Sequence, residues 1–343
     1  MGSVIKVMIV DDSLFFREML SAKLASYSNL EVVATAADPY DAVEKIKKYK
    51  PDVLTCDIEM PKMNGIEFIR QLMPQYPIPV VVVSSVSNVV FKALHAGAVD
   101  FIAKPKAGNK EELDLFVNEL VGKIRIASMA KVPYNNEELV LEKEHMNDIT
   151  KSNIDLIAIG ASTGGTEAIR QILKELPKDM PGIVIVQHIP PVFSKMFADG
   201  LNETTGFKVK EAEDRDIIKP GHVYVAPGDF HTRVSKLGSV YRVNCVKEDK
   251  VNNHRPSVDV LFESVAKICK GNAIGVILTG MGKDGAMGLL SMKKNGNFTI
   301  GQDEESSVVY GMPKAAYDIG AVVKRVPLNK VASTIVSSLS GKM

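Results

Sequence analysis

A serine lies in a glycine-rich turn near the middle of the chain, within Gly160-Ala161-Ser162-Thr163-Gly164-Gly165. The apolar run 154–159 predicts a buried strand before this turn, and apolar residues at helical spacing over 166–176 predict a helix after it. Glycines permit tight backbone angles and close approach of a substrate, and free N–H groups at a helix start stabilise negative charge on a carbonyl oxygen. We therefore expect Ser162 to be a nucleophile, and residues 160–164 also fit the short G-x-S-x-G pattern of hydrolases.

A serine hydroxyl needs a neighbouring base and a carboxylate that orients the base. Among the six histidines, only His188 ends an apolar run, 182–188, that predicts a fully buried strand. Another strand-like run, 273–279, leads into a glycine-rich loop that carries Asp284. Because ligands of an open parallel sheet bind at the C-terminal ends of its strands, Ser162, His188 and Asp284 are predicted to meet in one crevice.

Three further histidines are rival bases. His222 and His231 fall in the stretch 209–246, whose short strands divided by Gly and Pro turns predict an antiparallel edge or hairpin insertion, so we expect them at the surface. His254 lies beside Arg255 ahead of a predicted helix, and both are candidates for a substrate cleft.

Composition bounds the class of protein. The chain has 343 residues, which favours two domains, and its 42 Lys and Arg nearly balance 41 Asp and Glu. No global charge therefore favours a nucleic-acid or membrane partner, and nothing in the sequence requires more than a monomer. The three cysteines form no metal or disulfide pattern and suit a reducing compartment. With no signal peptide and no bilayer-spanning apolar run, we expect a cytoplasmic protein.

Strand-like and helix-like runs alternate five times in the first half of the chain, which predicts a doubly wound parallel sheet. Polar side chains cluster where these predicted strands end: Asp11 and Asp12 after the first, Asp57 after the third, Ser84 at the end of the fourth and Lys104 after the fifth. Three carboxylates at one sheet edge form a hard oxygen site that favours Mg²⁺. One carboxylate there can accept a phosphoryl group, with the metal and a lysine ammonium neutralising the incoming oxygens.

Four segments of this half resemble the receiver domain of two-component response regulators: Val10-Asp11-Asp12-Ser13, Cys56-Asp57-Ile58-Glu59-Met60-Pro61, Ser84-Ser85 and Lys104-Pro105. The resemblance implies a flavodoxin-like fold with Asp57 as phosphoacceptor. It implies as metal ligands Asp12, with Asp11 beside it, Asp57 and the backbone carbonyl of Glu59. It also implies a switch hydroxyl, a switch aromatic and a phosphate-binding lysine, which are Ser84, Phe101 and Lys104.

Composition divides the chain further. A polar stretch over 131–152, rich in Asn, Glu and Lys, predicts a linker between a first domain at 1–130 and a second at 153–343. The second domain is again predicted to be α/β, a Rossmann-like parallel sheet with the antiparallel hairpin insertion.

The second half closely resembles the catalytic domain of one family, the chemotaxis response regulator protein-glutamate methylesterases. The resemblance lies in the turn at 160–165, Gln187-His188, the segment 254–262, Thr279-Gly280-Met281-Gly282-Lys283-Asp284-Gly285 and the segment 302–313. It implies hydrolysis of γ-glutamyl methyl esters on chemoreceptor cytoplasmic helices to glutamate and methanol, deamidation of receptor glutamines, and a chemotaxis histidine kinase as phosphodonor.

The same resemblance implies a role for each site residue. Ser162 is the implied nucleophile, His188 the general base and then acid, and Asp284 the carboxylate that orients the imidazole. Thr163 is implied to shape the active site, and the backbone N–H of Met281 to help form an oxyanion hole. The resemblance implies no cofactor for the hydrolase.

Two other functions stay open from the residues alone. Gly280-x-Gly282-x-x-Gly285 follows a predicted strand and opens a helix, as a dinucleotide fingerprint does, although Asp284 would place a carboxylate where a pyrophosphate must bind. A non-catalytic interaction module would need Ser162, His188 and Asp284 to be structural. The order of these three residues also differs from that of α/β-hydrolases, in which the acid precedes the histidine.

Overall fold

The structure, a computed structural model, describes residues 4–85, 89–105, 109–132 and 153–339. The chain divides into two compact units, Met1–Leu139 and Val140–Met343. All but the first two residues of the predicted linker, 131–152, lie outside the described residues, so the domain boundaries stay a prediction.

The first unit contains one five-stranded sheet of order β2-β1-β3-β4-β5, in which every pair is parallel. Its strands are β1 (Ile5–Val10), β2 (Leu30–Ala36), β3 (Val53–Cys56), β4 (Val80–Ser84) and β5 (Asp100–Ala103). Its helices are α1 (Leu14–Leu24), α2 (Pro39–Tyr49), α3 (Gly65–Leu72), α4 (Val90–His95) and α5 (Lys110–Ala127). The predicted flavodoxin-like receiver fold is confirmed, because this strand order is the doubly wound order of that fold.

The second unit is built on a seven-stranded parallel sheet of order β14-β13-β12-β6-β7-β9-β8. Its strands are β6 (Leu156–Ala161), β7 (Gly182–Gln187), β8 (Lys208–Glu211), β9 (His222–Val225), β12 (Ala273–Ile277), β13 (Phe298–Gln302) and β14 (Lys324–Val326). Its helices are α6 (Gly165–Glu175), α7 (Phe193–Thr205), α8 (Val258–Ile268), α9 (Ala286–Lys294), α10 (Met312–Asp318) and α11 (Leu328–Leu339). Because β6, β7 and β12 are adjacent and fully buried, they form the rigid centre of the sheet.

An antiparallel hairpin of β10 (His231–Leu237) and β11 (Val240–Val246) stands apart from this sheet. The insertion is therefore confirmed, but its predicted extent is wrong, since β9 belongs to the parallel sheet. The two outer strands, β8 and β14, had no sequence signal. Their sequences are mostly charged, as suits exposed edge strands, and this charge hides the apolar alternation of a strand.

The hairpin packs on α8 through buried apolar side chains that include Val234, Val243 and Phe262. The backbone N–H of Val234 also donates to the Ser264 hydroxyl at 2.9 Å. These contacts fix the position of α8, and with it the loop from β11 that leads into the helix. Within the described residues, no helix is both long and apolar enough to cross a membrane.

Candidate active site

Ser162 and His188 follow directly on two hydrogen-bonded parallel strands. The last pair in register between β6 and β7 is Ala161 with Gln187, so the two residues occupy the next position on each strand. Neighbouring strands lie about 4.8 Å apart, which brings the serine and the histidine side by side. The Ser162 N–H donates to the carbonyl of Thr279 at 3.0 Å, so the loop after β12 joins them. The ends of β6, β7 and β12 therefore lie together at one edge of the sheet.

The buried side chain of Gln187 ties this turn together. Its amide nitrogen donates to the Ser162 carbonyl at 2.8 Å and to the His188 carbonyl at 3.3 Å. A methyl group at Gly165 would lie 2.3 Å from the Gln187 Oε1, so glycine is needed there for this close packing.

His188 is hydrogen-bonded to Asp284 at 2.8 Å between Nε2 and Oδ2, and both side chains are almost fully buried. Burial alone would raise the pKa of the Asp284 carboxyl. Hydrogen bonds from His188, Asn252 and Ser257 outweigh burial and hold its pKa well below the usual range. The carboxylate is thus ionised and only accepts hydrogen bonds. Neutral His188 therefore carries its proton on Nε2, and this N–H donates a hydrogen bond to Asp284.

This tautomer leaves the other ring nitrogen as an acceptor. Nδ1 of His188 is buried and has no hydrogen-bond partner among the described residues. A buried orphan acceptor costs free energy, and such costs persist where a function requires them. Ser162 follows the neighbouring strand, so Nδ1 is suited to accept a proton from the serine hydroxyl as a general base.

Four donors besides His188 converge on the Asp284 carboxylate. The Asn252 amide and the Ser257 hydroxyl each lie 2.7 Å from Oδ1, and the Val258 backbone N–H lies 2.7 Å from Oδ2. A longer bond of 3.2 Å comes from the Asp259 backbone N–H. The loop before α8 and the first turn of that helix therefore surround the charge, which the N-terminus of a helix also favours.

His254 lies on the His188 ring rather than at a distance from it. The two imidazoles are stacked with centroids 3.8 Å apart and planes 7° from parallel. Burial and the neighbouring His188 lower the pKa of His254 to about 4. Arg255, the other cleft candidate, instead forms hydrogen bonds to Asp229 and to the carbonyl of Glu248.

The surface position expected for His231 is wrong. Its side chain is fully buried, with Nε2 at 2.8 Å from the Asp249 carbonyl and Nδ1 accepting the Ser257 N–H at 3.2 Å. It therefore supports the loop that holds Asp284. His222 lies at the start of β9, at the sheet edge opposite to the strand ends that carry Ser162.

Met281 and Thr163 flank the serine. The side chain of Met281 is partly exposed, and its backbone N–H donates no hydrogen bond within the described part of the chain. Thr163 is buried, and its carbonyl accepts the Thr279 hydroxyl at 2.9 Å. Both positions agree with the roles predicted for them, which stay predictions.

Close packing accounts for two of the three glycines of the rival nucleotide fingerprint, Gly280 and Gly285. A methyl group at Gly280 would lie 2.6 Å from Ser162 Cβ, and one at Gly285 would lie 2.5 Å from Val258. The carboxylate of Asp284 occupies the turn between them, where it repels a pyrophosphate. A dinucleotide fingerprint also needs an acidic residue about 20 residues further on to bind the ribose. Asp303 has that position, but its carboxylate accepts hydrogen bonds from Ser306. The geometry gives no support to a nucleotide site.

The first unit gathers its acids as predicted. Carboxylate oxygens of Asp11, Asp12 and Asp57 lie within 4.8 Å of one another. Lys104 Nζ lies 2.6 Å from Asp11 and 2.5 Å from Asp57. Burial opposes the charge of this lysine, but the two carboxylates outweigh burial and raise its pKa. Such a cluster of oxygen ligands beside a cation fits Mg²⁺ and a phosphoryl group.

The remaining receiver residues lie around this cluster. Glu59 is exposed, and its N–H lies 3.3 Å from Asp57 Oδ1. Ser84 is buried at the end of β4, and Phe101 is buried on β5 with its ring 6.1 Å from that of Phe91. Their predicted switch roles stay predictions.

Two family models match the chain. The CheB methylesterase model matches residues 157–335, and the response regulator receiver domain model matches residues 7–115. These ranges fall within the second and the first unit, respectively.

Curated relatives extend over almost the whole chain. A protein-glutamate methylesterase/protein-glutamine glutaminase 2 from Syntrophomonas wolfei is 52% identical over 334 residues, 96% of each chain. A protein-glutamate methylesterase/protein-glutamine glutaminase from Salmonella typhi is 45% identical over 342 residues, 98% of each chain. The CheB methylesterase catalytic domain of Thermotoga maritima is 42% identical with a TM-score of 0.53 and covers 54% of this chain and 98% of its own.

Proposed function

The chain belongs to the CheB methylesterase family and carries a response regulator receiver domain, and from this premise we propose that it is a phosphorylation-activated protein-glutamate methylesterase and protein-glutamine glutaminase acting on chemoreceptors. The enzyme class rests on the family. The observation that carries the catalytic assignment is the buried His188 side chain: its Nε2 is bonded to Asp284, and its Nδ1 has no partner among the described residues.

In the proposed mechanism, the Ser162 hydroxyl attacks the carbonyl carbon of a γ-glutamyl methyl ester while His188 Nδ1 takes the hydroxyl proton. The imidazolium that forms is stabilised by the Asp284 carboxylate. It then gives the proton to the departing methoxy group, so methanol leaves and a γ-glutamyl ester remains on Ser162. Water attacks this ester with the same transfers through His188, which releases glutamate and restores the serine. A glutamine side chain follows the same steps, with ammonia as the leaving group.

The carbonyl oxygen becomes negatively charged in the tetrahedral intermediate, and backbone N–H groups at fixed positions stabilise that charge. We assign this task to the Met281 N–H, and to Thr163 the shaping of the cleft on the other side of Ser162. Their support is their position in the two loops that meet at the serine.

For the receiver, we propose that Asp57 accepts a phosphoryl group from a chemotaxis histidine kinase. Asp11, Asp12, Asp57 and the Glu59 carbonyl would hold Mg²⁺, which when bound neutralises phosphoryl oxygens. Lys104 bonds to Asp57 and would bind the phosphoryl group after transfer. Ser84 and Phe101 would respond to the added charge, which is the usual way that phosphorylation rearranges a surface.

We further propose that the receiver, 1–130, restricts the catalytic domain, 153–343, until Asp57 is phosphorylated. A phosphoacceptor domain tethered to a hydrolase has little use unless it controls the hydrolase. Only a difference in interaction free energy between two states shifts their populations, so phosphorylation must weaken the restricted state. The fragment 153–343 should therefore release methanol faster than the unphosphorylated whole chain, and equal or slower release would contradict inhibition by the receiver.

The experiment that tests the enzyme measures methanol release from methylated chemoreceptor cytoplasmic fragments, with and without a small phosphodonor and Mg²⁺. We expect release that rises with the phosphodonor and is lost in Ser162→Ala. Ser333→Ala, on an exposed face of α11, is the matched control and should release methanol normally. No release by the folded whole chain under any condition would contradict the proposed function.

A second comparison tests whether the triad works as a unit. Ser162→Ala and His188→Ala should each lose most of the turnover, and the double variant should lose little more, because members of a catalytic unit are not additive. Additive losses would show that the two residues act independently.

A further inference from the structure

A single loop, residues 251–257, makes the contacts around both members of the His188–Asp284 pair. Asn252 and Ser257 donate to Asp284, and His254 stacks on His188. The loop has a defined conformation, because the backbones of Val251 and His254 donate to each other's carbonyls at 3.1 Å and 2.9 Å. This tight turn places the His254 ring against His188.

The His254 side chain is stacked on the His188 ring. In the part of the chain that the structure describes, neither of its ring nitrogens forms a hydrogen bond, whereas His231 uses both nitrogens to hold its surroundings. Because the His254 ring stacks but forms no hydrogen bond among the described residues, structural hydrogen bonding does not explain its presence in the loop.

The hydrogen bond to Asp284 fixes His188 at one atom, Nε2, and by itself allows the ring to turn about that contact. A flat neighbour at 3.8 Å and 7° removes this freedom, because turning the imidazole would drive it into the second ring. A fixed ring plane would hold Nδ1, the nitrogen that takes the Ser162 proton in the proposed mechanism, in one orientation, and orientation of this kind supplies a large part of the rate in reactions of positioned groups.

We propose that His254 is a positioning residue for the hydrolysis, one whose stacked ring sets the plane of the His188 imidazole. This inference rests on the proposed function. It agrees with the electrostatics, since partly buried His254 stays neutral at neutral pH and does not repel the imidazolium that forms on His188 during turnover. The face of a neutral aromatic ring instead attracts a cation.

Two variants separate the ring plane from the ring nitrogens. His254→Phe keeps a flat ring without nitrogens, and His254→Leu keeps apolar bulk without a plane. From the usual strength of aromatic stacking, we expect His254→Leu to lower the kcat for methanol release about 3- to 10-fold with KM unchanged. His254→Phe should keep at least about half of the original kcat. His222→Leu, at the opposite sheet edge, is the control and should leave kcat unchanged, and thermal midpoints should show that each variant folds.

The outcomes are distinct. If His254→Phe is as slow as His254→Leu, or if KM rises in both variants, the proposal is overturned, because the nitrogens of His254 would then act on the substrate. An unchanged kcat in the His254→Leu variant would overturn the proposal as well.

A spectroscopic readout decides the same question without activity. The proton that His188 shares with Asp284 should give a low-field NMR signal in the whole protein. We expect the His254→Phe variant to retain this signal and the His254→Leu variant to show a broadened signal or none. A retained signal in the His254→Leu variant would overturn the positioning role of His254, even if the whole chain released no methanol. Absence of methanol release alone would overturn only the proposed function.

Discussion

The side-chain amide of Asn252 lies 2.7 Å from Asp284 Oδ1. The same nitrogen lies 2.8 Å from Asp259 Oδ2, so one amide is placed between two buried carboxylates. Burial and the nearby Asp284 charge raise the pKa of Asp259, against hydrogen bonds from Gly288 and Asn252 that lower it. Asn252 thus keeps two like charges apart while it helps to hold the carboxylate that orients His188.

Asn252→Ala should lower both turnover and stability. A lost hydrogen bond to a buried charge costs about 1–3 kcal/mol, and the unshielded Asp259 adds repulsion. We expect the kcat for methanol release to fall about tenfold and the thermal midpoint of the second unit to fall with it. Both are measured on the whole chain.

Asn253→Ala is a closely matched control for this change. Both asparagines have a positive φ, 52° and 66°, so alanine carries a similar backbone cost at either position. A loss in the Asn253 variant as large as that in the Asn252 variant would show that loop strain, and not the carboxylate bridge, determines the effect.

Gly280→Ala should lower the rate of hydrolysis strongly without preventing folding. The new methyl group would lie 2.6 Å from Ser162 Cβ and from Met312 Sδ, and the serine must move to admit it. A displacement of a nucleophile by about 1 Å costs on the order of 100-fold in rate. The measurement is kcat, together with the thermal midpoint.

Gly200→Ala, in the interior of α7, is the reference for a harmless glycine change. An added methyl there meets no atom of the described chain within 4 Å, so activity should persist and stability should rise slightly. Normal turnover in Gly280→Ala would contradict the packing described at Ser162.

The sequence located the proposed catalytic residues better than their surroundings. Ser162, His188 and Asp284 each follow an apolar strand, and one rule about strand ends brings them together. Asn252 and His254 lie in an irregular loop, where neither periodicity nor spacing indicates a partner. Their positions depend on how the hairpin packs on α8, a long-range contact that no local pattern encodes.

The charge state of His254 predicts a dependence of stability on pH. Its pKa is about 4 in the folded chain, below about 6.5 for an unfolded histidine, so the unfolded state binds more protons between these values. Its contribution to stability is therefore complete above about pH 6.5 and is lost as the pH falls toward 4. The charged groups near it are His188, Asp284 and Lys250.

Calorimetry of the whole chain between pH 7 and pH 4.5 checks this expectation. The thermal midpoint of the second unit should fall less steeply with decreasing pH in His254→Phe than in the original chain. Asp284 does not produce this difference, because its lowered pKa places its own loss of stability below about pH 4. Equal slopes in the two proteins would refute the assignment of His254 as neutral in the folded chain.

Lys104 lies against two nearly buried carboxylates, at 2.6 Å from Asp11 and 2.5 Å from Asp57. Removing the cation while both acids remain leaves uncompensated charge, which costs up to about 3–5 kcal/mol at buried positions. Without Mg²⁺, Lys104→Met should therefore lower the thermal midpoint of the first unit. A ligand that binds the folded state stabilises it in proportion to its affinity, so Mg²⁺ should restore more stability in this variant than in the original chain.

The matched change is Lys123→Met, which breaks the pair of Lys123 with Asp100 at 2.9 Å in the same unit. This pair lies outside the carboxylate cluster, so Mg²⁺ should raise the midpoint by the same amount as in the original chain. The discriminating quantity is the shift in midpoint with added Mg²⁺ at constant ionic strength. A shift in Lys104→Met no larger than in Lys123→Met would mean that the lysine and the metal do not share the oxygens of Asp11 and Asp57, and the proposed cation site of the receiver would fail with it.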